Sequence, residues 1–316
     1  MKLGSIVGIV FSCLLIIAGI VLCVKGKNEA EAADQLLFAQ RSEDGSTYYC
    51  EKIAEGTNRV KIQFKDADVT VIGGAEKSQI EFKNFNPNLY SVSVTPNIVS
   101  FEEIPSLTSI VDIGENGINF KGLRYLLDFE NYNYDDLKKS IVISLADNTD
   151  LKVLDISGEN STVKLQNLNL DGDLSLKIDS GNVTVENMTT TSTLEIIGSS
   201  LTSVIKGFVG STLRFNSETA DLNVTDCSVK DTEINVNSGN VEYHTDDVLT
   251  GAFFNILTKN GVITINDEVV SNVEYSSPEG YEKSLNIVSE DAYINITYTE
   301  EIASDTTQTP SDTATQ

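Results

Sequence analysis

The chain has 316 residues, 40% of them apolar, with no tryptophan and a single histidine, His244. That is material for one large domain or two ordinary ones with a full core, and it excludes a chain disordered in bulk. The net charge is −25, and because residues 1–27 hold three lysines and no acids, the rest stands at −28. Such a body repels nucleic acid and anionic lipid headgroups, whose binding needs Lys and Arg set against phosphates. The charge serves solubility, with attraction of Ca²⁺ as the competing reading.

The first element is Ile6–Val24, nineteen residues without a charge between Lys2 and the pair Lys25 and Lys27. As a helix it spans roughly 28 Å, the thickness of a hydrocarbon core. It runs straight into Lys-Gly-Lys with no small-x-small cleavage site, and neither Cys13 nor Cys23 sits in a lipoprotein context. Residues 1–27 are therefore expected to be an uncleaved, single-pass membrane anchor. The flanking lysines nearly balance, so orientation rests on composition: an acidic body rich in Ser, Thr and Asn points to a cytoplasmic N-terminus and an extracellular domain. Residues 28–47 read as a charged juxtamembrane linker.

From Tyr48 the pattern has the period of strands. In Arg59–Gly74, Val60, Ile62 and Phe64 share one face, followed by Val69 and Val71. Residues 48–145 read as a β-rich entry module with longer loops and a short helix near Tyr134–Ser140.

Residues 146–298 are periodic. The first inward apolar residue of each unit is taken as Leu154, Leu176, Leu194, Leu213, Ile234, Phe254 and Leu285, giving intervals of 22, 18, 19, 21, 20 and 31. Each unit holds two short alternating strands around a polar turn. The turn residues are Ser157-Gly158, Ser180-Gly181-Asn182, Ser238-Gly239-Asn240 and Asn260-Gly261. Glycine permits a left-handed turn there, and Ser and Asn satisfy its backbone groups. A fixed period near 20 predicts an all-β fold of stacked strand repeats, solenoid or β-helix in type, whose units bury their apolar rows only against one another. The 31-residue interval carries an insert that reads as a cap or a protruding loop. Residues 299–316, rich in Thr, Ser and Asp, read as a disordered tail.

Motifs for chemistry are sparse. His244, just past a strand, reads as a solvated loop residue; no His/Cys clustering suits zinc, and Gly73-Gly74 is an ordinary turn. Asn167, Asn169, Asp171, Gly172 and Asp173 imitate the start of an EF-hand loop, but the twelfth position, where a bidentate Glu is required, is Ile178. A β-helical enzyme on glycans would need paired carboxylates; the periodic region has one arginine, Arg214, and its acids are scattered through turns. Asn160, Asn182, Asn187, Asn223 and Asn295 fit the N-glycosylation pattern, which matters only in a glycosylating pathway. Cys50 and Cys227 are either a bridge or two isolated thiols. No cofactor is expected.

The entry stretch VKIQFKDADVTVIGG and the repeats LDISGENSTVKL, LKIDSGNVTVEN and INVNSGNVEYHT resemble the bacterial putative-adhesin family, a domain of unknown function built of β-strand repeats and often tethered by an N-terminal helix in Gram-positive members. The resemblance spans roughly residues 50–298 and departs at IIGSS and FNSET, where the turn glycine is lost, and in the large final insert. It implies a non-enzymatic surface scaffold or adhesin-like module whose partners are the membrane, through the helix, and an envelope protein or a cell-wall or surface glycan. An accessory ectodomain of an envelope-stress sensing system, and a glycan-acting β-helix enzyme, are the alternatives.

Overall fold

The structure is a computed structural model that describes residues 48–54, 56–85, 90–95, 97–103, 112–114, 117–119, 138–146, 151–248, 252–270, 273–275 and 282–299. The expected membrane helix, the linker at 28–47 and the tail beyond Thr299 lie outside the described residues. So does most of the short helix expected at Tyr134–Ser140; its last part is corrected, because Lys138 and Lys139 are in no helix and lead directly into a strand that starts at Ser140.

The described elements are all strands. The N-terminal part holds β1 (Tyr48–Lys52), β2 (Arg59–Gln63), β3 (Asp66–Ile72), β4 (Gln79–Lys83), β5 (Tyr90–Val94) and β6 (Ile98–Glu103). A small separate hairpin, β7 (Asp112–Gly114) with β8 (Gly117–Asn119), precedes β9 (Ser140–Ser144). The long strands follow: β10 (Val153–Gln166), β11 (Asn169–Leu170), β12 (Asp173–Thr190), β13 (Thr193–Thr225) and β14 (Ser228–Val248). The last are β15 (Phe253–Thr258), β16 (Val262–Ile265), β17 (Glu268–Val270), β18 (Val273–Tyr275) and β19 (Ser284–Thr299).

Local sequence explains why single strands are so long. In β12 the inward residues are Leu174, Leu176 and Ile178, then Val183 and Val185. Five positions separate Ile178 from Val183, so the two-residue alternation changes phase between them. The chain bends there while both arms stay paired with neighbouring rungs. β10 bends in the same way between Ile156 and Ser161. A second corner is set by residues in the left-handed region: Asn167, Asn187, Gly207 and Asp226, at φ 52°, 53°, 64° and 54°. Asn, Asp and Gly are the residues that enter this region at least cost. Beyond this corner Leu168, Met188, Phe208 and Cys227 turn inward and close the short third side of each coil.

The coils stack in parallel and in register. Val99, Val60, Leu154, Leu174 and Leu194 face one another rung by rung, and Leu213, Thr232, Leu285 and Phe254 continue the line. Phe101, Ile62, Ile156, Leu176 and Ile196 form the next column, followed by Phe215, Ile234, Ile287 and Ile256. Nearly all are fully buried, each contributing about 1.5–3 kcal/mol of transfer free energy. These columns regularise the uneven intervals read from sequence. Leu176 and Ile234 belong to the second column, and their first-column partners are Leu174 and Thr232. Pairing carries no break at 145/146 either, since β2 and β3 pair with β10.

Two departures from chain order position everything else. At the C-terminal end β19, not β15, pairs with β14, and β15 and β16 lie outside β19. At the N-terminal end β6 and β9 lie outside β2 and β3. Antiparallel strands cover both outer rungs: β5 on β6, β4 with β1 on β9, β18 on β15 and β17 on β16. Short antiparallel edges of this kind terminate a ladder that would otherwise template another chain. The insert in the long interval supplies β17 and β18. Under β5 and β6 a cluster of Phe82, Phe85, Tyr90 and Phe101 fills the end, with Phe82 stacked on Phe101 at 4.3 Å.

Among the described residues several buried polar atoms have no partner, Ser161 and Ser203 among those on inward positions. Ser203 lies below Val183 in its column, is 1% exposed, and its hydroxyl has no hydrogen-bond partner. An unsatisfied buried hydroxyl costs about 1–3 kcal/mol. Ser203→Val, matching its neighbour, is expected to stabilise the fold by about 1 kcal/mol or more, read as a higher urea midpoint at unchanged m-value.

Candidate functional site

Among the described residues, an open polar groove of about 670 Å³ lies at the first corner of three successive rungs. Register builds its floor. Asn160 pairs with Asp66 on one side and Ser180 on the other, while Thr162 pairs with Asp68 and Asn182. Two outward columns, Asp66–Asn160–Ser180 and Asp68–Thr162–Asn182, therefore run side by side. The third column, Ala67–Ser161–Gly181, faces the core at this corner.

One wall is cationic. Lys65 follows Phe64 at the bend between β2 and β3; Lys138 and Lys139 precede β9. Lys139 Nζ meets Glu103 Oε1 at 2.6 Å, with the two side chains only 15% and 11% exposed, and lies 5.7 Å from the Phe85 ring centroid. The other oxygen of Glu103 accepts the backbone N–H of Lys65 at 2.8 Å. Lys138 pairs with Asp68. Asn160 Nδ2 donates to Asp66 Oδ1 at 2.9 Å, and Ser180 Oγ donates to Asn160 Oδ1. Charge-assisted contacts of this kind hold donors and acceptors in fixed places.

The turn residues singled out from sequence fall in different places. Ser180, Gly181 and Asn182 line the groove. Ser238, Gly239 and Asn240 occupy the same corner further along, where Asn240 Nδ2 reaches Glu242 at 3.3 Å and Asp221 at 3.5 Å. Asn260 and Gly261 stand at that corner in the outer rung, Gly261 stacked on Ala292. Ser157 and Gly158 do not match Ser180 and Gly181: they pair with Lys177 and Ile178, before the bend, and Gly158 leaves room for the Phe64 ring. Gly181 and Gly239 have φ of 137° and 125°, and a Cβ on either would fall 2.0 and 1.9 Å from the carbonyl oxygen of Ser161 and Ala220. The need for glycine is thus as much closeness to the next rung as turn handedness.

The remaining candidates have structural employment. Asp171 accepts Lys152 Nζ at 2.5 Å and Thr191 Oγ1 at 2.6 Å, and these hydrogen bonds hold its carboxyl below the usual range. Asp173 accepts Ser192 Oγ and the Thr193 N–H, while Asn167 accepts from Asn187. The EF-hand imitation is a set of rung-to-rung ladders. Among the described residues no group of three or more His, Cys, Asp and Glu is arranged to hold a metal. Arg214 lies 3.4 Å from Glu233 on an outward face, and His244 3.7 Å from Asp246. No bridge joins Cys50 and Cys227. Cys50 is on the β1 edge at one end of the stack, and Cys227 is several rungs away, each about 4.8 Å. The Cys227 thiol points at the Ile205 and Thr225 carbonyls, and burial pushes its pKa up to about 11.

The family model described as Toastrack DUF4097 matches residues 57–313, which takes in the groove and every rung. The chain belongs to the Toastrack DUF4097 family. No curated protein matches this Toastrack chain. Among solved structures it is similar to a putative cell adhesion protein from Clostridium sporogenes, 13% identical over 80% of this chain and 100% of that one, with a TM-score of 0.35. A putative adhesin from Bacteroides fragilis is 14% identical over 82% and 99%, with a TM-score of 0.33. One from Parabacteroides merdae is 12% identical over 81% and 96%, with a TM-score of 0.36.

The groove was missed from sequence because its parts are distant in the chain and meet only through register. The left-handed corner was a missed signal of another kind, legible as Asn, Asn, Gly and Asp at steps of 20, 20 and 19.

Proposed function

We propose that this Toastrack protein is a non-enzymatic scaffold, anchored by the Ile6–Val24 helix with its β domain outside the cell, that holds an adhesin-like binding surface against a polymer or protein of the envelope. The observation that carries this reading is the pair of inward columns running from Val99 and Phe101 to Phe254 and Ile256, apolar at every position but Thr232. Nine described rungs on one continuous core make a stiff body roughly 40 Å long. Its outward columns carry Asn, Thr, Ser, Asp and Glu, already ordered by ladders such as Asn235 to Asn216 and Asn223 to Glu242. A rigid face of ordered polar groups loses little freedom on binding, so contacts made along it convert efficiently into affinity.

The test uses the full-length protein in its membrane. Protease added to intact cells is expected to digest the β domain, and membranes bearing the protein are expected to retain isolated wall polymer, with and without EDTA. A protected domain, or membranes that retain nothing, would sink the proposal. Crosslinking that recovers one membrane protein in place of a polymer would move the reading to an accessory ectodomain of a sensing system.

A further inference from the structure

We infer that the corner groove is the binding subsite of this surface and that it takes an extended glycan or polyol chain carrying negative charge. This rests on the envelope-binding reading above and names the chemistry of what is bound.

The argument begins with charge. The chain is strongly acidic, yet three lysines converge on one groove. Two of them are matched: Lys138 by Asp68 and Lys139 by Glu103. Asp66 keeps its charge while it accepts the Asn160 amide, so the three lysines stand against three carboxylates, Asp66, Asp68 and Glu103, and the groove is neutral overall on an acidic chain. Among the described residues lining the groove, Lys65 is the cation left without a carboxylate, and Glu103 fixes its position by accepting its backbone N–H. The site thus presents one ammonium outside an ion pair in a locally neutral patch of an acidic chain, which suits a single anionic substituent.

The floor selects the rest of the ligand. Thr162 and Asn182 are exposed, adjacent in register, and their side chains make no hydrogen bond among the described residues. They offer a hydroxyl and an amide one rung apart, about 4.8 Å, close to the advance of one sugar residue in an extended chain. A peptide bound by strand addition or by apolar anchors needs an open sheet edge or an apolar pocket. The groove gives neither: Ala67 is its one apolar side chain, and its strands are paired on both sides. Hydroxyls and a spaced anion are what the lining can satisfy. A uronate carboxylate and a polyol phosphodiester both supply that chemistry.

The test is titration of full-length protein in nanodiscs with three probes: trigalacturonate, a short glycerol-phosphate oligomer, and neutral maltotriose. One or both anionic probes should bind at least tenfold tighter than maltotriose, and whichever binds identifies the source of the anion. Lys65→Met, which removes an exposed side chain, should abolish that preference without moving the melting temperature. Thr162→Ala with Asn182→Ala should weaken all binding. Lys230→Met, a surface lysine outside the groove, should leave affinities unchanged. Equal binding of maltotriose, or equal losses for Lys65→Met and Lys230→Met, would overturn the assignment. Retention of wall polymer by membranes with no loss on Lys65→Met would overturn the groove while leaving the scaffold reading intact.

Discussion

Gly239→Ala is expected to destabilise the stack by about 3 kcal/mol or more, among the largest effects available to the addition of one methyl group. Two costs combine. The φ of +125° is one that residues with a Cβ rarely adopt, and the added carbon would lie 1.9 Å from the Ala220 carbonyl oxygen. That oxygen is backbone of the neighbouring rung and cannot rotate away, so relief requires the rungs to separate. Two companion substitutions divide the costs. Gly56 has a φ of +87° but nothing within 4 Å, so Gly56→Ala should cost only about 1 kcal/mol. Gly172 lacks the positive φ but would place its Cβ 1.9 Å from the Lys152 oxygen, so Gly172→Ala isolates the contact. The expected order of urea midpoints is Gly56→Ala highest, Gly172→Ala intermediate and Gly239→Ala lowest. If Gly239→Ala were no worse than Gly56→Ala, close stacking would not be what demands glycine at this corner.

That experiment bears on what a sequence of this kind discloses. Alternation and a period near 20 sufficed for an all-β stack, because each coil needs the same inward positions whatever its neighbours are. The same degeneracy hid the details. Thr232 fills a position that is Leu in the adjacent coils, so the count slid by two residues to Ile234. Ser157-Gly158 looks like Ser180-Gly181 yet sits before its bend, where glycine serves to admit Phe64. The EF-hand imitation arose because Asn167 holds a left-handed corner while Asp171 and Asp173 serve rung-to-rung hydrogen bonds close by. The groove depended on three corners and the start of β9 meeting by register, which no local pattern encodes. Order along the stack was equally silent, since Phe254 and Leu285 begin coils of the same kind and either could follow β14.

This last ambiguity makes a prediction. In the intact protein β19 lies between β14 and β15, so Glu233 pairs with Asn286 and Asn286 with Asn255. Glu233 and Asn255 are thus two rungs apart, about 9.6 Å, beyond the reach of a disulfide. Removing residues 282–316 deletes the intervening rung and leaves two open ladders facing each other. The exposed edges match: Thr232, Ile234 and Val241 would meet Phe254, Ile256 and Ile263, positions that share columns across β19. Closing the gap restores backbone pairing on both sides and re-buries Ile256 and Ile263. The truncated chain is therefore expected to slip β15 and β16 inward by one rung and stay folded, one coil shorter. Glu233→Cys with Asn255→Cys reads this directly. Mapped by mass after mild oxidation, the pair should remain reduced in the full-length chain and form a disulfide in the truncated one. If it stays reduced in both, and β15 loses its amide protection after truncation, then β15 and β16 hold their place only through β19. The C-terminal strand would in that case be an essential internal rung, and loss of those residues would unfold the whole cap; a disulfide would show instead that the repeats are interchangeable units whose order is set by which strand arrives to fill the gap.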